Sequence, residues 1–241
     1  MKSCAPALPG FRRRFRVTPA PGQVRSEVED DFHCMSVVLH HDGKTINTVD
    51  ADLMRAPWST CPGATLQLQQ TFTGVALDAV ATRGDKAANC THLHDLAQLA
   101  AAHAFDTQPM IYDVLVTDAV DGLRRAELRR DGEVVLSWAE ASFRIVEPAE
   151  LAGMTLDKLR PWMDTLSAPQ QEAARLLRWA NMIANGRRIP IGHQSDASRM
   201  PPNCYTFQPE RAVIARRVGV IRDFNQGKAQ PLDGMLLNSR V

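Results

Sequence analysis

Three Asp-Gly pairs, at positions 42–43, 121–122 and 131–132, each fall between runs in which apolar and β-branched residues recur at every second position. A period of two puts alternate side chains on one face of a strand, and Asp-Gly supplies the backbone freedom that a tight hairpin turn demands. The chain is therefore committed to antiparallel sheet in two blocks. In the first, MSVVLHH is followed by the turn His41-Asp42-Gly43-Lys44 and by TINTVDADLMRAP, with a third strand expected over Asp50–Arg55. In the second, MIYDVLVTD, LRRAELRR and EVVLSWAEASFRIV read as strands across residues 110–146. Trp138 and Phe143 in that block read as core.

Helices sit between and after the strand blocks. Pro62 at a first helical position and Gly74 beyond the end predict a helix from Pro62 to Phe72. A second helix opens at Thr91, with Leu93, Leu96, Ala97, Ala100 and Ala104 on one face. Further on, a short helix is expected over Leu156–Met163, and Ser167-Ala168-Pro169-Gln170 forms a capping box for a longer one ending near Ala184. Residues 1–28, rich in proline and arginine, read as an N-terminal arm, and AVIARRVGVIRDF near the other end alternates enough for a strand.

Both central helices start on a cysteine. Cys61 and Cys90 stand at helix N-termini, where unpaired amides and the helix dipole favour a thiolate, the form that binds a metal. Each alone reads as a buried structural residue. Together, with His33 preceding a strand and His92 and His94 beside Cys90, they point to a metal site. Cys34 faces away from His33 along the strand, which leaves His33 as the ligand.

The order of three antiparallel strands, a helix-opening cysteine, a linker and a second helix-opening cysteine resembles the iron-sulfur scaffold domain of the NifU and IscU type, over residues 29–104. That resemblance implies ligands at Asp31 and His33, at Cys61, and at Cys90 with His92 as a nearby nitrogen. Two departures stand out: a histidine occupies the first-loop position of a scaffold cysteine, and His92 follows Cys90 instead of preceding it. Such a donor set suits one zinc or iron ion better than an iron-sulfur cluster. DDFH, the run Arg55-x-Pro57-Trp58-x-x-Cys61-Pro62-Gly63-Ala64, and Cys90-Thr91-His92-Leu93-x-Asp95-Leu96 are also similar to a bacterial family of unknown function, number 2889. This likeness implies work in aromatic catabolism.

Composition limits the alternatives. With 28 Lys and Arg against 27 Asp and Glu, the chain carries no general field for nucleic acid or acidic lipid. The Arg12–Arg14 cluster reads as solvated or partner-contacting. No apolar run reaches the roughly 18 residues of a membrane span. Five irregularly spaced cysteines fit reduced thiols or metal ligands, and a cytoplasmic location is expected. Phosphate-loop, dinucleotide, nucleophile-elbow and HExxH motifs are absent.

The long polar stretch after Gly186 reads as a pocket wall or lid. It puts Arg187 and Arg188, with Trp58, among substrate contacts, and His193 and Tyr205 among proton-transfer groups. The expectation is an α+β protein with a metal-binding core over 29–107, in which an antiparallel meander is followed by helices. Residues 108–241 add a second antiparallel sheet and C-terminal helices packed with that core. The expected activity is that of a metal-dependent lyase releasing a small aldehyde by retro-aldol cleavage of a small aromatic or carbonyl-type substrate. An iron-sulfur or metal carrier and an interaction module with a structural zinc are the alternatives, and homo-oligomerisation is left open.

Overall fold

A computed structural model describes residues 8–188, 195–225 and 227–234. The chain divides into two compact units. One, the site unit, comprises Phe15–Ile111 with Pro190–Arg222; the other, the companion unit, comprises Met1–Arg14, Tyr112–Ile189 and Asp223–Val241. Both are mixtures of antiparallel sheet and helix.

The site unit is built on strands β1 (Gly10–Ala20, from Phe15 onward), β2 (Gln23–Asp30), β3 (Cys34–His41) and β4 (Ile46–Arg55), in the order β4-β3-β2-β1. Segment 10–30 is thus not an arm but two strands. Its period was hidden because the buried positions are Phe11, Arg13, Phe15 and Val17, so an arginine stands where the pattern wants an apolar residue. A second correction concerns Asp50–Arg55, which continues β4 without a turn and pairs with β3 through Cys34–Arg55 at the far end. The predicted turn between β3 and β4 is present. Asp42 accepts from the Lys44 and Thr45 amides at 2.9 and 2.8 Å, and these bonds hold its carboxyl below the usual range.

Two helices cover this sheet: α1 (Ala64–Phe72), which follows a 3-10 turn at Cys61–Gly63 and packs on β4, and α2 (Thr91–Ala102), which packs on β2 and β3. Val24, Val28, Met35, Val37, Leu39, Leu68, Phe72, Leu93, Leu96 and Leu99 fill the space between. A helix with one apolar stripe would leave its other face to water, but every residue of α2 from Thr91 to Ala101 except Gln98 is buried. The first turn of α2 therefore carries His92, His94 and Asp95 into the interior.

In the companion unit β1 contributes Gly10–Arg14, followed in the sheet by β5 (Met110–Thr117), β6 (Leu123–Arg130), β7 (Glu133–Ala141) and β8 (Arg144–Glu147). Both Asp-Gly pairs here take positive φ at each residue, 50° and 79° at 121–122 and 49° and 91° at 131–132, as a type I′ hairpin turn requires. The run expected as one strand to residue 146 breaks at Ser142-Phe143, which also adopt positive φ, and reverses into β8. Nothing in Ser-Phe announces such a turn; the Phe143 amide is held by Glu140 Oε2 at 2.8 Å. Phe143 is exposed, whereas Trp138 is core and donates to Asn181 Oδ1 at 2.8 Å.

Residues 156–163 form a 3-10 turn and the short α3 (Arg160–Met163), and α4 (Ala168–Ala184) starts at the predicted capping box, with the Ser167 amide donating to Gln170 Oε1. Back in the site unit, α5 (Pro209–Ala212) precedes an extended segment that is not the ladder strand expected there. It makes one bridge, Trp58 to Arg217, and bonds from the Ser59 amide to Arg216 O and from the Arg222 amide to Asp31 O. Apolar side chains at Val218 and Val220 point to solvent, so alternation alone misled.

Candidate metal centre

The tight connection from β2 to β3 is organised by one carboxylate. Asp30 Oδ1 accepts from the backbone amides of Phe32 at 2.7 Å and His33 at 2.8 Å, while the Asp30 amide donates to His33 O at 2.9 Å. An aspartate side chain that captures the amides two and three residues ahead is a local turn-former. It also brings the imidazole back onto its own carboxylate, with His33 Nδ1 3.1 Å from Asp30 Oδ1. When Nδ1 carries the proton it donates to Asp30 and Nε2 keeps a lone pair.

His92 completes the group from the other side. It lies in the first turn of α2, and its ring stacks on that of His33 with centroids 3.9 Å apart. Asp30, His33 and His92 each offer a ligand atom within 4.8 Å of the others'. They are 0, 7 and 8% exposed. Polar groups this deep are costly unless paired or coordinated, and two imidazoles with one carboxylate form a donor set suited to zinc or ferrous iron. The three donors include no thiolate, which an iron-sulfur cluster would need.

An outer layer of charge fixes the turn. Arg55 donates to Asp31 O at 2.6 Å, Asp30 O at 2.8 Å and Glu29 Oε1 at 2.9 Å, and Arg222 reaches the same Glu29 oxygen at 3.2 Å. One guanidinium thus satisfies two backbone carbonyls that the sharp turn leaves out of the sheet ladder. Asp95, deeper in α2, pairs with Lys86 at 2.5 Å. Burial lowers the His94 pKa, against the charge of Asp95.

The structure distributes the expected residues unevenly. His33 and His92 come together, but the carboxylate beside them is Asp30, where Asp31 was expected. Asp31 is fully buried, with its carbonyl bound by Arg55 and by the Arg222 amide. Cys61 and Cys90 do start their helical segments, yet among the described residues they fall outside the 4.8 Å group. Trp58 is buried with Cys61, Ala197, Ala212 and Ala215. Tyr205 lies against the end of the Cys61 turn: a Cβ on Gly63 would come within 2.5 Å of its hydroxyl. Arg187, in the companion unit, pairs with Asp118 at 3.4 Å and Asp223 at 3.1 Å, and Arg188 there is exposed. His193 lies outside the described residues. Asp30 was missed although the signal was local, an aspartate three residues before a histidine at a strand junction.

Residues 15–106 match a family model described as a protein of unknown function (DUF2889). The matched segment holds all three grouped donors together with Cys61 and Cys90, and stops short of Cys204 and Tyr205. No curated protein matches this chain.

Proposed function

We propose that this chain is a metal-dependent lyase acting on a small aromatic or carbonyl-type substrate, with zinc or iron held by Asp30, His33 and His92. The observation that carries the reading is the convergence of these three buried donors. Three protein ligands would leave coordination positions open, and a divalent ion held there would supply Lewis-acid polarisation of a substrate oxygen, which favours loss of a small aldehyde. The chain's own part is to hold the donors: Asp30 orients His33, and α2 presents His92 as a buried side chain. Tyr205 stands in this proposal as a proton-transfer group and Trp58 as a substrate contact. The aromatic substrate class comes from the family likeness.

The test is elemental analysis of protein purified anaerobically without a metal-affinity tag, followed by a screen of hydroxymethyl-bearing aromatic compounds for aldehyde release. About one zinc or iron per chain, with aldehyde release abolished in His92→Ala, is the expected result. Acid-labile sulfide would move the reading to a cluster carrier, and metal-independent aldehyde release would overturn the metal's role.

A further inference from the structure

A strap of extended chain, residues 216–222, passes the metal turn within the site unit and lies outside the family-matched segment. Hydrogen bonds pin it at three points. Ser59 and Arg216 are joined twice, by the Ser59 amide to Arg216 O at 2.9 Å and the Arg216 amide to Ser59 Oγ at 3.0 Å. The Val218 amide donates to Pro57 O at 3.0 Å, and the Arg222 amide to Asp31 O at 3.0 Å. Between these two, Gly219 runs so close to the chain at 56–57 that a Cβ there would stand 2.8 Å from Ala56 O and 2.8 Å from Pro57 Cα. Val218 and Val220 face solvent, so burial of these side chains does not hold the strap. The hold is made by hydrogen bonds, and the last of them falls on the metal turn.

At that end the strap shares its grip with β4. Asp31 O accepts from the Arg222 amide at 3.0 Å and from Arg55 Nη1 at 2.6 Å, and Asp30 O accepts from Arg55 Nη2 at 2.8 Å. Glu29 Oε1, on a residue only 2% exposed, takes Arg55 Nη2 at 2.9 Å and Arg222 Nη1 at 3.2 Å. We propose that Arg55 and Arg222 are positioning residues for the metal centre, through which the 216–222 strap sets how tightly the ion is held; this rests on the reading of Asp30, His33 and His92 above. A guanidinium has no lone pair to offer, so neither arginine ligates the ion. Both act on the peptide units that join Asp30 to His33. With the carbonyls of residues 30 and 31 fixed in direction, the backbone between two of the three ligands is ordered before the ion arrives, and binding loses less conformational freedom. The two arginines differ in what they require. Arg55 reaches a carboxylate and two carbonyls with one planar fork, which a lysine cannot reproduce, whereas Arg222 offers Glu29 a single bond, which a lysine can.

In the experiment, full-length metal-free protein is titrated with cobalt(II) chloride against a competing chelator of known affinity, following the d–d absorption band that His92→Ala abolishes. Arg55→Lys and Arg222→Ala are expected to weaken cobalt binding about tenfold or more, and Arg222→Lys to restore it. Gly219→Ala, which forces the strap away from Ala56 and Pro57, should weaken it in the same direction. The Arg222 side chain is 46% exposed, so its ion pair adds little to folding. The metal-free melting midpoint of Arg222→Ala should therefore stay within about 4 °C of wild type. Lost affinity at an unmoved midpoint separates positioning from a merely structural role. Wild-type affinity in Arg222→Ala, a loss that Arg222→Lys does not restore, or a loss that only follows a lowered midpoint overturns the proposal. Should Arg55→Lys fail to fold, the Arg222 and Gly219 variants decide. A wild-type protein without the band refutes the metal reading itself, and a band bound as tightly in the variants as in wild type refutes the positioning alone.

Discussion

Asp30 does two jobs that two substitutions separate. In Asp30→Ala the buried amides of Phe32 and His33 lose their common acceptor. Each orphaned buried donor costs about 1–3 kcal/mol, and the lost charge-assisted bonds put the total at roughly 3–6 kcal/mol, a large fraction of a typical 5–15 kcal/mol stability. In Asp30→Asn the amide oxygen remains an acceptor for both. The loss is then the difference between charged and neutral hydrogen bonds, about 1 kcal/mol each and ~2 kcal/mol in all. For a chain of this size a kilocalorie shifts the midpoint by about 2–4 °C. Metal-free Asp30→Ala should therefore melt roughly 6–24 °C lower than metal-free wild type, and Asp30→Asn roughly 4–8 °C lower. Metal affinity responds differently. Neutralising a ligand carboxylate, or the one that orients His33, weakens binding at least about tenfold, so Asp30→Asn should fold yet lose zinc or iron. The assay pairs thermal unfolding in chelator with elemental analysis after dialysis against a defined metal buffer. Equal melting of the two variants would refute the bracing of the turn, and wild-type metal content in Asp30→Asn would refute the triad.

Two further outcomes follow from buried groups elsewhere. Trp138→Phe removes the donor to buried Asn181 in the companion unit and should cost about 1–3 kcal/mol, read as a lower unfolding midpoint with no change in metal content. Burial pushes the Cys34 thiol from 9.0 up to about 11, with Glu29 as the next cause. The unfolded chain gives up this proton first, so the stability contributed by the neutral thiol is present below pH 9 and lost as pH rises towards 11. The stability difference between wild type and Cys34→Ala should shrink over that window, and a constant difference in urea unfolding would show that Cys34 is not held neutral.

What the amino-acid sequence determined here is what depends on neighbours a few residues apart. The Asp-Gly turns at 42, 121 and 131 and the capping box at Ser167 each rest on one local backbone conformation or an i to i+3 bond, and they are where the pattern placed them. Cys61 and Cys90 open helical segments for the same reason. The turn that folds His33 onto Asp30 was equally local and could have been read from DDFH. Only tertiary structure could decide which distant side chains share a space. His92 meets His33 because α2 packs on β2 and β3, and Tyr205 and Gln208 donate to Asn89 and Ala87 more than a hundred residues away. Burial likewise overrode pattern, in opposite directions: Arg13 occupies an inward strand position that reads as polar, and Val218 and Val220 face water although they alternate like a strand. Residue type records a preference for water or core, but which preference prevails depends on the elements that close over it.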